Sequence, residues 1–364
     1  MYRSILLTSL GLALALQMGL ATAQKAAPPA SAQEVTGNVH MYDEALPACS
    51  PDGRWLAFEY HEPSDPNYPR VGIMDLSQDS HPWHPLLQVK PGRHLFAGDM
   101  SWSPDSQWLA LWTDYPKGRE SFWSDSDFGI VKVNVYTREV VRLTDVLPEG
   151  ARVGPTTAWL RSGLIIFSGI TDKSIDGVPD KGGQMRKLIN VPADKCDGVT
   201  NTFAVSPDEQ RIAFEKDSGS DSQVVECNAL WIAGLRTGNL QRVPTTGLRP
   251  LNPFWLDDDT ILFSGIDIAA GKWLPVGIYS ISLSTKNLTH ILDGPYLTPF
   301  VCRSRKTLYF SWGPSLQSKT PAGDAWPTFN DFFGFHIWKI PLHAVYRQHT
   351  GDERSGVVAS GPRL

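Results

Sequence analysis

The sequence predicts an all-β fold, a six-bladed β-propeller of four-stranded antiparallel blades. Three observations carry this reading. One hairpin line recurs six times, the apolar runs are short and bounded by turn residues, and no stretch sustains helical periodicity. Counted at the Ser50 position, the copies fall at 50, 103, 160, 206, 256 and 302, so the steps are 53, 57, 46, 50 and 46 residues. A β-sandwich is the competing architecture, but a sandwich has no reason to repeat one hairpin six times.

The three clear copies are Pro47 to Phe58, Ser101 to Trp112 and Ala204 to Phe214, each holding Ser-Pro-Asp between two apolar runs. Weaker copies are Ala158 to Phe167, Phe254 to Phe263 and Phe300 to Phe310. Proline fixes φ at the second position of a tight turn, and Asp or Gly suits the positions that follow. The apolar runs on either side, such as Trp55-Leu56-Ala57-Phe58, then form the first two strands of a blade. Third strands are expected at 72–76, 129–133, 230–235, 277–283 and 337–340, and fourth strands at 140–144 and 240–243. Blade six has no clear fourth strand after Ile340, and the segment Glu34 to Tyr42 is expected to supply it and tie the ring.

Length and composition fit one such ring. At about 150 residues per domain, 364 residues suggest two domains, but six units of about 53 residues use the same length. The 31 Gly and 28 Pro exceed ordinary usage of ~12 % and stay below the ~25–30 % of disordered chains, which indicates a surplus of turns. Thirty-three basic against 38 acidic residues leave a net charge of −5 with no basic stripe, which argues against a nucleic-acid partner. Residues 1–23 are expected to be an export signal: Arg3, an apolar run from Ile5 to Leu20, and the small-residue site Ala21-Thr22-Ala23. A membrane anchor is the competing reading, but the apolar run is shorter than the ~20 residues of a span. Residues 24–44 read as a flexible leader that also contributes the ring-closing strand, and 45–364 as the propeller. The expected location is the periplasm or the exterior.

The line at Trp102 to Trp112, with near matches at Cys49 to Phe58 and Val205 to Phe214, resembles the TolB-type propeller repeat. The resemblance covers residues 45–345. It is specific for the fold and weak for function. In TolB the propeller follows a separate α/β domain, for which this sequence has no room. Similar repeats form the propeller of prolyl-oligopeptidase relatives, but this sequence holds no Gly-x-Ser-x-Gly nucleophile elbow. Pectin-degrading lyases with similar repeats hold a metal with histidines. Here His61, His81, His84, His94 and His336 would have to converge, but most lie outside the inner-strand hairpins, and the competing reading puts the Pro-flanked pair His81 and His84 in a loop with solvated rings.

The most specific local motif is Asp172-Lys173-Ser174-Ile175-Asp176-Gly177-Val178-Pro179-Asp180. Oxygen side chains at Asp172, Ser174, Asp176 and Asp180, with Gly177 at the sixth position, match the first part of a calcium loop. The closing Glu is replaced by Gly183, and a polar inter-strand loop is the competing reading. Calcium is accordingly the one cofactor the sequence offers. Of the four cysteines, Cys196 and Cys227 are expected to bridge, closing a loop of about 30 residues. Cys49 and Cys302 lie on the first and last inner strands, but a one-residue offset argues against that bridge, leaving two buried thiols as the alternative. Trp102, Trp159 and Trp255 share one repeat position and read as blade packing. The loop from Phe329 to Phe335 reads either as a partner-docking element or as a cap on the propeller.

The expected function is therefore a non-catalytic scaffold that binds a protein or peptide. The alternative is a carbohydrate-active lyase or hydrolase with its site at the propeller mouth.

Overall fold

A computed structural model describes residues 28–345, apart from 38, 40, 42, 89–90, 117–127, 145–152, 170–173, 192–197, 218–228, 271–274 and 314–333. The described residues form six four-stranded antiparallel sheets, the blades of a six-bladed propeller. The chain starts with a short strand, β1 (Gln33–Glu34), and then builds the blades in order. Blade one comprises β2 (Asp43–Cys49), β3 (Trp55–Glu62), β4 (Asp65–Asp75) and β5 (Trp83–Pro85). Blade two comprises β6 (Ala97–Trp102), β7 (Trp108–Thr113), β8 (Gly129–Asn134) and β9 (Val140–Arg142). Blade three comprises β10 (Val153–Trp159), β11 (Leu164–Gly169), β12 (Ser174–Pro179) and β13 (Arg186–Asn190). Blade four comprises β14 (Gly198–Val205), β15 (Arg211–Asp217), β16 (Leu230–Gly234) and β17 (Leu240–Val243). Blade five comprises β18 (Leu248–Trp255), β19 (Thr260–Asp267), β20 (Pro275–Ser282) and β21 (Leu288–Asp293). Blade six comprises β22 (Leu297–Cys302), β23 (Thr307–Trp312) and β24 (His336–Pro341), and β1 pairs with β24 as its outermost strand.

The Ser-Pro-Asp turns show why this sequence makes hairpins. In the first copy the Ser50 hydroxyl donates to Asp52 at 2.5 Å and accepts the Trp55 N–H at 2.9 Å, while Asp52 accepts the Arg54 N–H at 3.0 Å. Ser103 with Asp105, and Ser206 with Asp208, repeat this set of bonds. Each turn ends on a residue in the left-handed region, Gly53 (φ 76°), Ser106 (φ 60°) or Glu209 (φ 57°). Two backbone groups and one carboxylate are thus satisfied inside each turn without outside partners.

The core lies in the seams between blades. Six apolar clusters occupy the six seams, and each draws side chains from two neighbouring blades. Between blades two and three, for example, Trp112 and Ile130 pack with Ile165 and Phe167. A blade's faces are therefore buried only when its neighbours stack, at ~1.5–3 kcal/mol per large apolar side chain.

The structure differs from the sequence reading in two places. Within the segment read as a calcium loop or polar loop, Ser174–Pro179 is a strand, β12, inside blade three, while Asp172 lies outside the described residues. Gly177 pairs with Ile166 on one side and Arg186 on the other, and Ser174, Ile175 and Val178 are fully buried. A side chain at Gly177 would press on Leu164 and Leu188 at 3.1–3.2 Å, so this glycine makes room for packing and does not turn the chain. The bridge argued against, Cys49–Cys302, is closed, with Cα atoms 5.5 Å apart. The argument from pleat register applies to strands hydrogen-bonded within one sheet, whereas β2 and β22 belong to different sheets that meet across a seam.

Candidate functional site

The inner strands β2, β6, β10, β14, β18 and β22 surround a central cavity of about 710 Å³. All six carry a register shift in their pairing with the second strand of the blade. At four of these shifts a residue other than glycine holds the left-handed conformation: Leu46 (φ 50°), Asp99 (φ 49°), Asn252 (φ 51°) and Thr298 (φ 50°). Such a bulge adds a residue to one strand and re-aims its side chain. Leucine and threonine rarely adopt this region, so the surrounding ring must hold them there. Counted four residues before the Ser50 position, the cavity wall carries Leu46, Asp99, Thr156, Thr202, Asn252 and Thr298, one from each blade.

The two ends of the cavity differ. At the end carrying the Ser-Pro-Asp turns, charged side chains are used as staples between blades. Arg161 donates to the Pro207 carbonyl at 2.6 Å, and Arg303 donates to the Trp255 carbonyl at 2.6 Å. Glu209 accepts the Arg161 N–H at 2.9 Å. Just inside, the Trp102 indole donates to the Ala48 carbonyl at 2.9 Å, and the Trp255 indole to the Ala204 carbonyl at 3.0 Å. Both reach to the preceding blade, which is the packing role expected for this repeat position.

Toward the far end, acidic groups lie beside one another. The Asp99 N–H donates to Glu59 at 2.8 Å, and the Asp99 carbonyl accepts the Thr157 hydroxyl at 2.8 Å. Gly98 permits this approach, because a Cβ there would lie 2.0 Å from the Glu59 carboxylate. Burial, and then the Asp99 charge, push the Glu59 carboxyl well above its ordinary range, and burial raises Asp99 as well. The neighbouring Thr156 is only 8 % exposed, and its hydroxyl has no hydrogen-bond partner. At the same end of blade one, burial and the Glu44 charge push Asp43 up to about 7, against hydrogen bonds from the backbone of Phe335 and Gly334. His336 sits 2.7 Å from Glu44 and 3.6 Å from Glu34, and the Glu44 contact raises its pKa. This cluster joins blade one, blade six and the N-terminal strand.

The residues singled out from the sequence are mostly elsewhere. Ser174 and Asp176 adjoin on β12, with the Ser174 hydroxyl donating to Asp176 at 3.0 Å. Asp180 lies past the opposite end of that strand, about 20 Å away at strand rise. Asp172, Cys196, Cys227 and 329–333 lie outside the described residues. The histidines do not converge: His84 is on the outermost strand of blade one, His94 stacks on Tyr68 and contacts Asp65 at 2.9 Å, and His336 joins the closure cluster. Among the described residues no group of three or more His, Cys, Asp or Glu is placed to hold a metal ion. Asp99 and Thr156 escaped notice because each looks ordinary alone. Aligning the copies four residues upstream of Ser-Pro-Asp would have shown one polar position facing inward in five blades of six.

The fold and the cavity thus define a closed six-bladed propeller with a channel lined by repeat-equivalent residues. No protein-family model matches the chain, and no curated protein matches it either. Among solved structures it is similar to a gluconolactonase from Xanthomonas campestris (14 % identity, 83 % of this chain and 86 % of that one, TM-score 0.53). It is also similar to an oligogalacturonate lyase in complex with manganese (13 % identity, 83 % and 77 %, TM-score 0.50). TolB from Acinetobacter baumannii matches at 17 % identity over 69 % of this chain with a TM-score of 0.46, and this chain spans 55 % of that protein's length. Identities this low establish the propeller fold and nothing finer.

Proposed function

We propose that the protein is an exported, non-catalytic scaffold that binds a protein or peptide of the cell envelope through its central channel. The observation that supports this best is the channel wall itself, to which each blade presents one residue at the same repeat position, around a space of about 710 Å³. A cavity of this size accepts a few residues of an extended chain. The Cys49–Cys302 bridge fits an oxidising compartment. Among the described residues no helix is long and apolar enough to cross a membrane.

The test is affinity capture from envelope extract with the wild-type chain and with Leu46→Trp, which fills the channel. A partner held by the wild type and lost by the folded variant supports the reading, and equal recovery refutes it. One observation favours the alternative, a lyase or hydrolase acting on carbohydrate. Asp99, with its raised carboxyl, faces the same channel and has the protonation a general acid needs. Turnover of oligosaccharides by the wild type and its loss in Asp99→Asn would establish that reading instead.

A further inference from the structure

We infer that the far end of the channel is a cation-accepting subsite, built from Asp99 and Thr156, for the ammonium group of a lysine or a chain terminus on the peptide partner. The inference rests on the scaffold reading and gives it a ligand chemistry.

Two independent observations meet at this point of the wall. Asp99 is placed there by a bulge with φ at 49°, and its backbone is held on both sides, by Glu59 at the N–H and by Thr157 at the carbonyl. Thr156 precedes Thr157 on β10 and holds, on the next blade, the repeat position that Asp99 holds on β6, so the two line one cavity from neighbouring strands. The Thr156 hydroxyl is buried, lines that cavity and has no hydrogen-bond partner among the described residues. A buried hydroxyl left unbonded costs free energy that a ligand donor would recover. An ammonium carries three donors and no acceptor, which matches a carboxylate together with a hydroxyl oxygen.

The electrostatics favour the same ligand. Ionising either Glu59 or Asp99 is costly: desolvation raises both carboxyls, and the Asp99 charge raises Glu59 further. A positive charge arriving at Asp99 relieves that cost, so the empty site is unfavourable for anions and favourable for cations. Arg161 and Arg303 line the turn end of the cavity, where Glu209 sits 3.6 Å from Arg161, and Asp99 stands four residues before the turn on its own strand. A carboxyl-terminal peptide group finds no such welcome at Asp99.

The experiment is calorimetric titration of the full chain at pH 8 and low salt with three probes: trilysine amide, its fully acetylated counterpart, and calcium chloride. The inference expects trilysine amide to bind at one equivalent. Asp99→Asn should bind it at least tenfold more weakly, Thr156→Val about threefold more weakly, and the acetylated peptide should not bind. No binding of trilysine amide, equal binding of the acetylated peptide, or unchanged affinity in folded Asp99→Asn overturns it. So does stoichiometric calcium binding at Asp99 without peptide binding, which would assign the site to a metal ion. Thermal melting checks that Asp99→Asn is folded, and should it not fold, Thr156→Val decides: affinity equal to wild type overturns the inference. Envelope capture separates the two readings. A partner retained by Asp99→Asn and lost by Leu46→Trp removes the subsite and leaves the scaffold standing.

Discussion

At the turn end of the channel, Ser50, Ser103 and Ser206 each satisfy a carboxylate and a backbone N–H, and arginines and tryptophans bond to carbonyls of neighbouring blades. At the far end, desolvation raises the carboxyl pKa values of Glu59, Asp99 and Asp43, and the Thr156 hydroxyl has no hydrogen-bond partner among the described residues. The first arrangement recurs from blade to blade, and the second occurs at single positions. A repeat that only has to hold the ring together can be copied. Groups that cost stability persist where something other than stability retains them. This contrast is the reason the proposed subsite is sought at the far end and the structural staples at the turn end.

Perturbing each end tests that contrast. The largest effect is expected at the turn end, where the Cys49–Cys302 bridge spans a sequence separation of 253 residues and ties blade one to blade six. Replacing both cysteines by serine should cost up to about 5 kcal/mol by the chain-entropy estimate, read as a lower denaturant midpoint under oxidising conditions.

At the far end the pH dependence should come next. Asp43 has a folded pKa of about 7 against the ordinary 3.8, so the folded state binds the proton more tightly. Its contribution is complete below about pH 4 and is lost as the pH rises through 7, by up to about 4 kcal/mol. His336, raised by Glu44, acts in the same direction above pH 6.5. Stability should fall between pH 5 and 8, and Asp43→Asn should flatten that profile. A profile that is unchanged in Asp43→Asn would remove the charge asymmetry between the two ends.

Ser103→Ala should cost about 2 kcal/mol, because the Trp108 N–H loses its acceptor and Asp105 keeps only the Gln107 N–H of its two donors, and Ser206→Ala should match it. By contrast, Asp99→Asn should raise the melting temperature at pH 8 and change little at pH 5, since it removes a charge that burial disfavours. The smallest effect is expected for Gly98→Ala, roughly 1–2 kcal/mol, since the new methyl group meets the Glu59 carboxylate. Glu59→Ala in the same chain should rescue part of that loss, and urea melts of the three variants measure the coupling.

Much of the ring was legible from residues because its information is local. A Ser-Pro-Asp turn closes its own hydrogen bonds, so three clear copies and three weaker ones announce six hairpins, and strands such as Leu240–Val243 fall where the polar turns predict them. The third strand of blade three was not legible. Asp176 and Gly177 look like turn residues, and only pairing with β11 and β13 makes an extended strand of Ser174 to Pro179.

The candidate site was hidden for a related reason. A channel wall is made of one residue per blade, each about 50 positions from the next, and no local signal marks the bulge that turns Asp99 inward. By itself the sequence determined the number of blades, the hairpin turns and the apolar seams, all set by contacts within or between successive repeats. Only the tertiary structure decided the Cys49–Cys302 pairing, the strand at Ser174 and the placing of Asp99 and Thr156 on one cavity wall. Each of those depends on where closing the ring places segments that sheet register does not connect.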